Sequence, residues 1–129
     1  MTPGDRRRVL IADDEAAIVT SLEFLMRARG YETAAASDGE AALAQCASFR
    51  PDLLLLDLML PKLNGYDVCR APRKRAAHRG LRIILVSAKG SELDVQRGIE
   101  AGADAHVGKP FSTKELVQEV ERLLAPPPH

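Results

Sequence analysis

Five polar residues stand where apolar runs of the chain give way to polar ones. Asp13 and Asp14 follow RVLIA, and Asp57 breaks into PDLLLLDLML. Ser87 ends LRIILVS, and Lys109 comes shortly after AHV. Three carboxylates gathered together repel one another, and as hard oxygen donors they suit Mg²⁺, which takes a few carboxylates and leaves places for waters and phosphate oxygens. A lysine adds a point cation and a serine a hydroxyl donor. Acids, divalent cation, ammonium and hydroxyl together are what a phosphoryl group needs: neutralised oxygens and a nucleophile in line with the leaving group. Asp57 is the candidate nucleophile, its carboxylate forming an acyl phosphate. Singly, each residue says little. An Asp after a strand is often a helix cap, so Asp14 could cap the first helix, and Lys109 beside Pro110 could be an ordinary loop lysine.

The elements that must position these residues alternate. RVLIA (8–12) reads as strand one, and a helix follows over Ala16–Arg29, with Ile18, Leu22, Leu25 and Met26 on one stripe and Gly30 as its stop. Tyr31–Ala36 is a weaker second strand. Ser37–Glu40 has the Ser-x-x-Glu spacing of a capping box before a short Ala-rich helix. The Leu-rich run between Pro51 and Pro61 reads as a third strand, buried on both faces of a parallel sheet. An isolated carboxylate inside it would cost several kcal/mol or more, so Asp57 is expected at the rim beside other charges. A helix follows from NGYDVCRA, then strand four (81–87), a helix opening at Ser91 and ending near Gly102, a brief strand five (105–107) and a last helix capped by Ser112. That helix carries the stripe Leu116, Val120, Leu123 and Leu124. Strict alternation of this kind implies an α/β fold, a doubly wound five-stranded parallel sheet with five helices on its two faces. Ligands of such sheets bind outside the carboxyl ends of the strands, where all five polar residues fall.

Composition bounds the function. At 129 residues the chain is one domain, and its 18 Lys and Arg balance 18 Asp and Glu, which argues against direct nucleic-acid binding. No apolar stretch is long enough to span a bilayer, so no membrane role and a cytoplasmic location are expected. Cys46 and Cys69 have no metal-ligand spacing and read as small buried hydrophobes. Residues 1–7 read as a disordered leader, 8–125 as the folded domain and 126–129 as a Pro-rich tail or the start of a linker.

The segments IADDEAAI, PDLLLLDLMLPKLNGYDVCR, RIILVSAKG and AGADAHVGKPF make the chain resemble a response-regulator receiver domain of two-component signalling, chemotaxis-regulator-like, over essentially its whole length. The resemblance implies the flavodoxin-like strand order 2-1-3-4-5. It also implies that Asp57 accepts phosphate from a histidine kinase or phosphotransfer protein and changes binding of an unknown downstream protein through the face of helix four, strand five and helix five. Asp14 and Asp57 would hold Mg²⁺ directly, Asp13 through water, and the backbone carbonyl of Met59 would complete the set. Ser87 would bind a phosphoryl oxygen, with the small Ala88 leaving access, and Lys109, preceding a cis Pro110, would pair with it. Such a chain is no enzyme beyond phosphorylating and dephosphorylating its own aspartate. The alternative is a receiver-like scaffold that binds partners without phosphorylation.

Three positions depart from the family pattern. His106 stands where the family often has Tyr or Phe as a switch residue. A neutral imidazole can turn inward and a charged one resists leaving water, so activation is expected to weaken as pH falls through its pKa; the bland reading is a solvent-facing residue. Pro72 falls inside helix three, where an interior proline costs about 3 kcal/mol, so that helix is expected to be shortened or kinked, with 73–79 loop or frayed. Glu119 replaces a basic residue used in one branch's dimer, which puts that dimer in doubt. Two decoys fail. GADAHVGKP has the wrong glycine spacing for a phosphate-binding loop, and a phosphatase with an Asp nucleophile would want a second Asp where Met59 stands.

Overall fold

The computed structural model describes residues 7–73, 80–87 and 92–124. Its elements run β1 (Arg8–Ala12), α1 (Ala16–Ala28), β2 (Glu32–Ala36), α2 (Gly39–Phe49), β3 (Leu53–Asp57), α3 (Gly65–Arg73), β4 (Arg82–Ser87), α4 (Glu92–Ala101), β5 (Ala105–Gly108) and α5 (Thr113–Leu124). The five strands form one parallel sheet in the order β2-β1-β3-β4-β5, as expected. Among the described residues no helix is long and apolar enough to cross a membrane.

Alternate residues of the strands feed two apolar layers. On one face Leu10, Leu54, Leu56, Ile83 and Leu85 meet Ala42 and Cys46 of α2, Val68 and Cys69 of α3 and Ala101 of α4. On the other, Val9, Ile11, Leu53, Leu55, Ile84 and Val86 meet Leu22 and Met26 of α1 and the α5 stripe of Leu116, Val117, Val120 and Leu124. β3 lies mid-sheet and is buried throughout, each of its leucines contributing about 1.5–3 kcal/mol. Both cysteines are free and buried.

Local chemistry departs from the expectations at three helix ends. β2 begins at Glu32 and not Tyr31, because the Tyr31 N–H is taken by Met26 C=O (3.2 Å) while Gly30 N–H binds Arg27 C=O (2.9 Å). With Gly30 at φ +90°, these two bonds form a Schellman stop for α1. α2 is capped by Asp38 and not by Ser37: its carboxylate accepts the Ala41 N–H at 2.7 Å, and Gly39 is the first helical residue. The bond to Ala41 and the nearby Lys62 hold the Asp38 carboxyl below its usual pKa. Asp14 does not cap α1, whose N-cap is Glu15 without a side-chain bond. Ser112 does cap α5, accepting the Glu115 N–H at 3.3 Å.

α3 is described to Arg73, one residue past a buried Pro72. Residues 74–79, which carry most of the expected frayed segment, lie outside the described residues, as do 1–6 and 125–129 at the two ends and Ala88 and Ser91.

Candidate phosphoryl-acceptor site

Parallel strands end on the same side, so the residues that follow them share one edge. Asp13 comes directly after β1, Asp57 closes β3, Ser87 closes β4 and Lys109 follows β5. The β3–α3 connection forms one wall. It is anchored by Leu58 N–H on Val86 C=O and Gly65 N–H on Leu58 C=O, both at 2.9 Å, and by Gly39 N–H on Pro61 C=O at 3.0 Å. Two glycines permit this closeness: a Cβ on Gly65 would lie 2.7 Å from Leu58 Cα, and one on Gly39 would lie 2.5 Å from Leu63 Cβ. Asn64 starts α3, its side-chain oxygen accepting the Asp67 N–H at 3.0 Å.

The three acids meet here. Carboxylate oxygens of Asp13, Asp14 and Asp57 lie within 4.8 Å of one another. Asp13 and Asp57 are buried, at 4% and 6% exposure, while Asp14 is exposed. Asp57 lies beside other charges, as expected, but buried and not at an open rim. Direct pairing works against its desolvation. The Lys109 ammonium reaches Asp13 Oδ2 at 3.0 Å and Asp57 Oδ2 at 3.4 Å, and Asp57 Oδ1 accepts the Met59 N–H at 3.1 Å. Asp13 Oδ1 accepts the Glu15 N–H at 2.9 Å. Burial pulls the Lys109 pKa down, but the hydrogen bond to Asp13 and the charges of Asp57 and Asp13 outweigh it and hold the ammonium above its ordinary value. The Lys109–Pro110 bond is cis. Met59 turns its side chain out, 75% exposed, while its backbone stays against Asp57.

This donor set fits a magnesium ion. Three hard carboxylate oxygens on one edge, two of them in a low-dielectric setting and facing one cation among the described residues, are what Mg²⁺ coordinates alongside water and phosphate oxygens.

The fifth candidate, Ser87, is 3% exposed, and its Oγ lies 2.9 Å from His106 Nε2. His106 is half-buried, not the solvent-facing residue of the bland reading. The bond between these side chains was not legible in the residues; their strand positions are the one signal, since β4 pairs β5 with Leu85 opposite His106 and Ser87 opposite Gly108. Glu119 pairs within its own helix, with Arg122.

Comparison with known proteins agrees with this geometry. The family model described as response regulator receiver domain matches residues 9–121. The chain is 45% identical over 119 residues to the DNA-binding response regulator MtrA of Mycobacterium tuberculosis, a match that covers 92% of this chain and 51% of that protein. It thus spans about half the length of the curated relatives it matches. A putative response regulator from Chloroflexus aurantiacus superposes with a TM-score of 0.88 at 36% identity, covering 95% of this chain and all (100%) of that one. The receiver domain of a sensor histidine kinase from Pseudomonas aeruginosa, solved with a magnesium ion in its active site cleft, gives a TM-score of 0.84 at 28% identity over 94% of this chain and 99% of that one. With the acids, the lysine and the hydroxyl on the edge where the strands end, and the match running from β1 into α5, the chain belongs to the response regulator receiver domain family of two-component signalling.

Proposed function

We propose that this receiver domain is a phospho-acceptor switch. Asp57 takes a phosphoryl group from a histidine kinase or phosphotransfer protein, and its arrival changes what the face formed by α4, β5 and α5 binds. The observation that carries the reading is one ammonium, Lys109, held within 3.0 and 3.4 Å of two buried carboxylates that share their edge with a third. Among the described residues that edge carries more acids than cations, and a phosphoryl group with its divalent cation suits the difference.

In the transfer, a carboxylate oxygen of Asp57 attacks phosphorus, the new P–O bond forms, and the bond from phosphorus to the donor breaks, its electron pair leaving with the donor. Lys109 pairs with a phosphoryl oxygen, the Ser87 hydroxyl donates to another, and the Met59 N–H keeps the Asp57 side chain in orientation. Asp14 and Asp57, Asp13 through water, and the Met59 carbonyl would hold Mg²⁺, whose charge neutralises the phosphoryl oxygens. The chain's chemistry stops at its own aspartate, on this reading, and its role is signalling in the cytoplasm. Residues 8–125 form the receiver unit, with 1–7 a leader and 126–129 a tail or linker. Relatives about twice as long are named as DNA-binding regulators. We therefore place any contact with DNA in an output partner or segment and not in this charge-balanced domain.

The test is intact mass after incubation with acetyl phosphate and Mg²⁺. One phosphoryl group is expected on the wild type and none on Asp57→Asn. Lys109→Ala should still label in part while losing any conformational response. Equal labelling of Asp57→Asn would overturn the assignment.

A further inference from the structure

We propose that His106 is a positioning residue for Ser87: its Nε2 accepts the Ser87 hydroxyl proton and so competes with the phosphoryl oxygen for that one donor. The inference rests on the phospho-acceptor reading of the site. Ser87 Oγ and His106 Nε2 are 2.9 Å apart, and Ser87 is buried. A serine hydroxyl has a single proton to donate. Donated to His106, that proton is withheld from the edge where Asp57 lies, and a phosphoryl group on Asp57 gains the donor only when the bond to the imidazole breaks.

The strands make this pairing close. β4 and β5 are parallel and in register, so Ser87, two residues beyond Leu85, and His106, opposite Leu85, present side chains to the same face. Gly108, directly opposite Ser87, has no side chain to intervene. β5 is one of the two edge strands, paired among the described residues with β4 alone, so it can shift laterally without breaking a second ladder. His106 thereby raises the threshold for activation by holding the hydroxyl, a role a phenyl ring at the same place cannot fill.

The experiment is a double-mutant cycle read by the affinity for beryllofluoride, an acyl-phosphate mimic, in the presence of Mg²⁺. His106→Phe should tighten binding by about 2- to 10-fold, the range a net neutral hydrogen bond is worth. His106→Gln, whose amide oxygen is an acceptor, should stay closer to wild type than His106→Phe. On a Ser87→Ala background His106→Phe should change nothing. The ¹⁵N shifts of the imidazole should show Nδ1 carrying the proton in the unliganded wild type. Equal or weaker binding by His106→Phe, the same gain with and without Ser87, or a proton on Nε2 would each overturn the inference. Wild type that fails to bind beryllofluoride at all would overturn the phospho-acceptor reading beneath it.

Discussion

In Asp57→Asn the side chain keeps its shape and the oxygen that accepts the Met59 N–H at 3.1 Å, but loses its charge. Whether that loss harms the metal-free protein follows from the distances. At an effective dielectric of about 20, Asp13 within 4.8 Å repels Asp57 by at least about 3.5 kcal/mol, while Lys109 at 3.4 Å attracts it by about 5 kcal/mol. Asp14 is exposed, so its repulsion is nearer the water-like value of about 1 kcal/mol. The pairwise terms almost cancel, leaving the desolvation of a carboxylate that is 6% exposed, several kcal/mol against a smaller cost for an amide. Lys109 keeps its closer partner, Asp13. Asp57→Asn is therefore expected to stabilise the metal-free fold by about 1–3 kcal/mol, a rise of roughly 4–12 °C in Tm. Mg²⁺ narrows the gap: ten times Kd stabilises wild type by about 1.4 kcal/mol and the variant, missing a proposed ligand, by less. Thermal melts followed by circular dichroism, in EDTA and then in Mg²⁺, check both halves. A variant less stable than wild type in EDTA, or one with an undiminished shift in Mg²⁺, would refute the electrostatic reasoning.

Gly65→Ala forces a Cβ to within 2.7 Å of the Leu58 backbone; it should cost about 1–3 kcal/mol in urea unfolding and weaken beryllofluoride binding by moving the wall that carries Met59. Asn64→Ala, which removes the α3 cap, should cost about 0.5–2 kcal/mol by the same assay, with Asn64→Asp close to wild type. Burial pushes the Cys46 thiol up to about 11, so iodoacetamide at pH 8 should leave the native protein unmodified by intact mass, and both cysteines should react once urea unfolds it. The sign of the accompanying pH effect is fixed. The unfolded thiol loses its proton near pH 8.5–9 and the folded one near 11, so this contribution to stability is intact below about pH 8.5 and is lost as pH rises towards 11.

The parallel α/β sheet and the placing of the five polar residues at its strand ends were legible because two signals coincide, while the strand order came from the family resemblance. Apolar runs of strand length alternate with helical stripes, and the exceptional polar residues all fall at the ends of those runs. Other features depend on geometry that spacing does not encode. Ser37 and Asp38 are both good caps, and the choice falls to Asp38 because Gly39, packed on Leu63, is where the helix begins. Tyr31 has strand propensity, yet its N–H closes the turn after α1. The depth of Asp57 below the surface depends on how closely the β3–α3 wall folds over it. The Ser87–His106 bond depends on two side chains leaning across a pair of strands. Neither leaves a mark in residue order.

The Lys109–Asp13 contact joins residues 96 apart, and its lysine lies just beyond β5, an edge strand and the last strand of the sheet to be made. On the ribosome, a nascent chain therefore exposes its acids well before their counter-cation exists. At 5–20 residues per second, roughly 3 to 10 seconds separate synthesis of Asp57 from synthesis of Lys109. On the phospho-acceptor reading proposed above, Asp57 has during that interval neither its lysine nor a completed sheet edge to orient it, so a kinase that meets the growing chain finds a poor acceptor. On that reading, a phosphoryl mark on Asp57 favours chains that have been translated through β5 and folded.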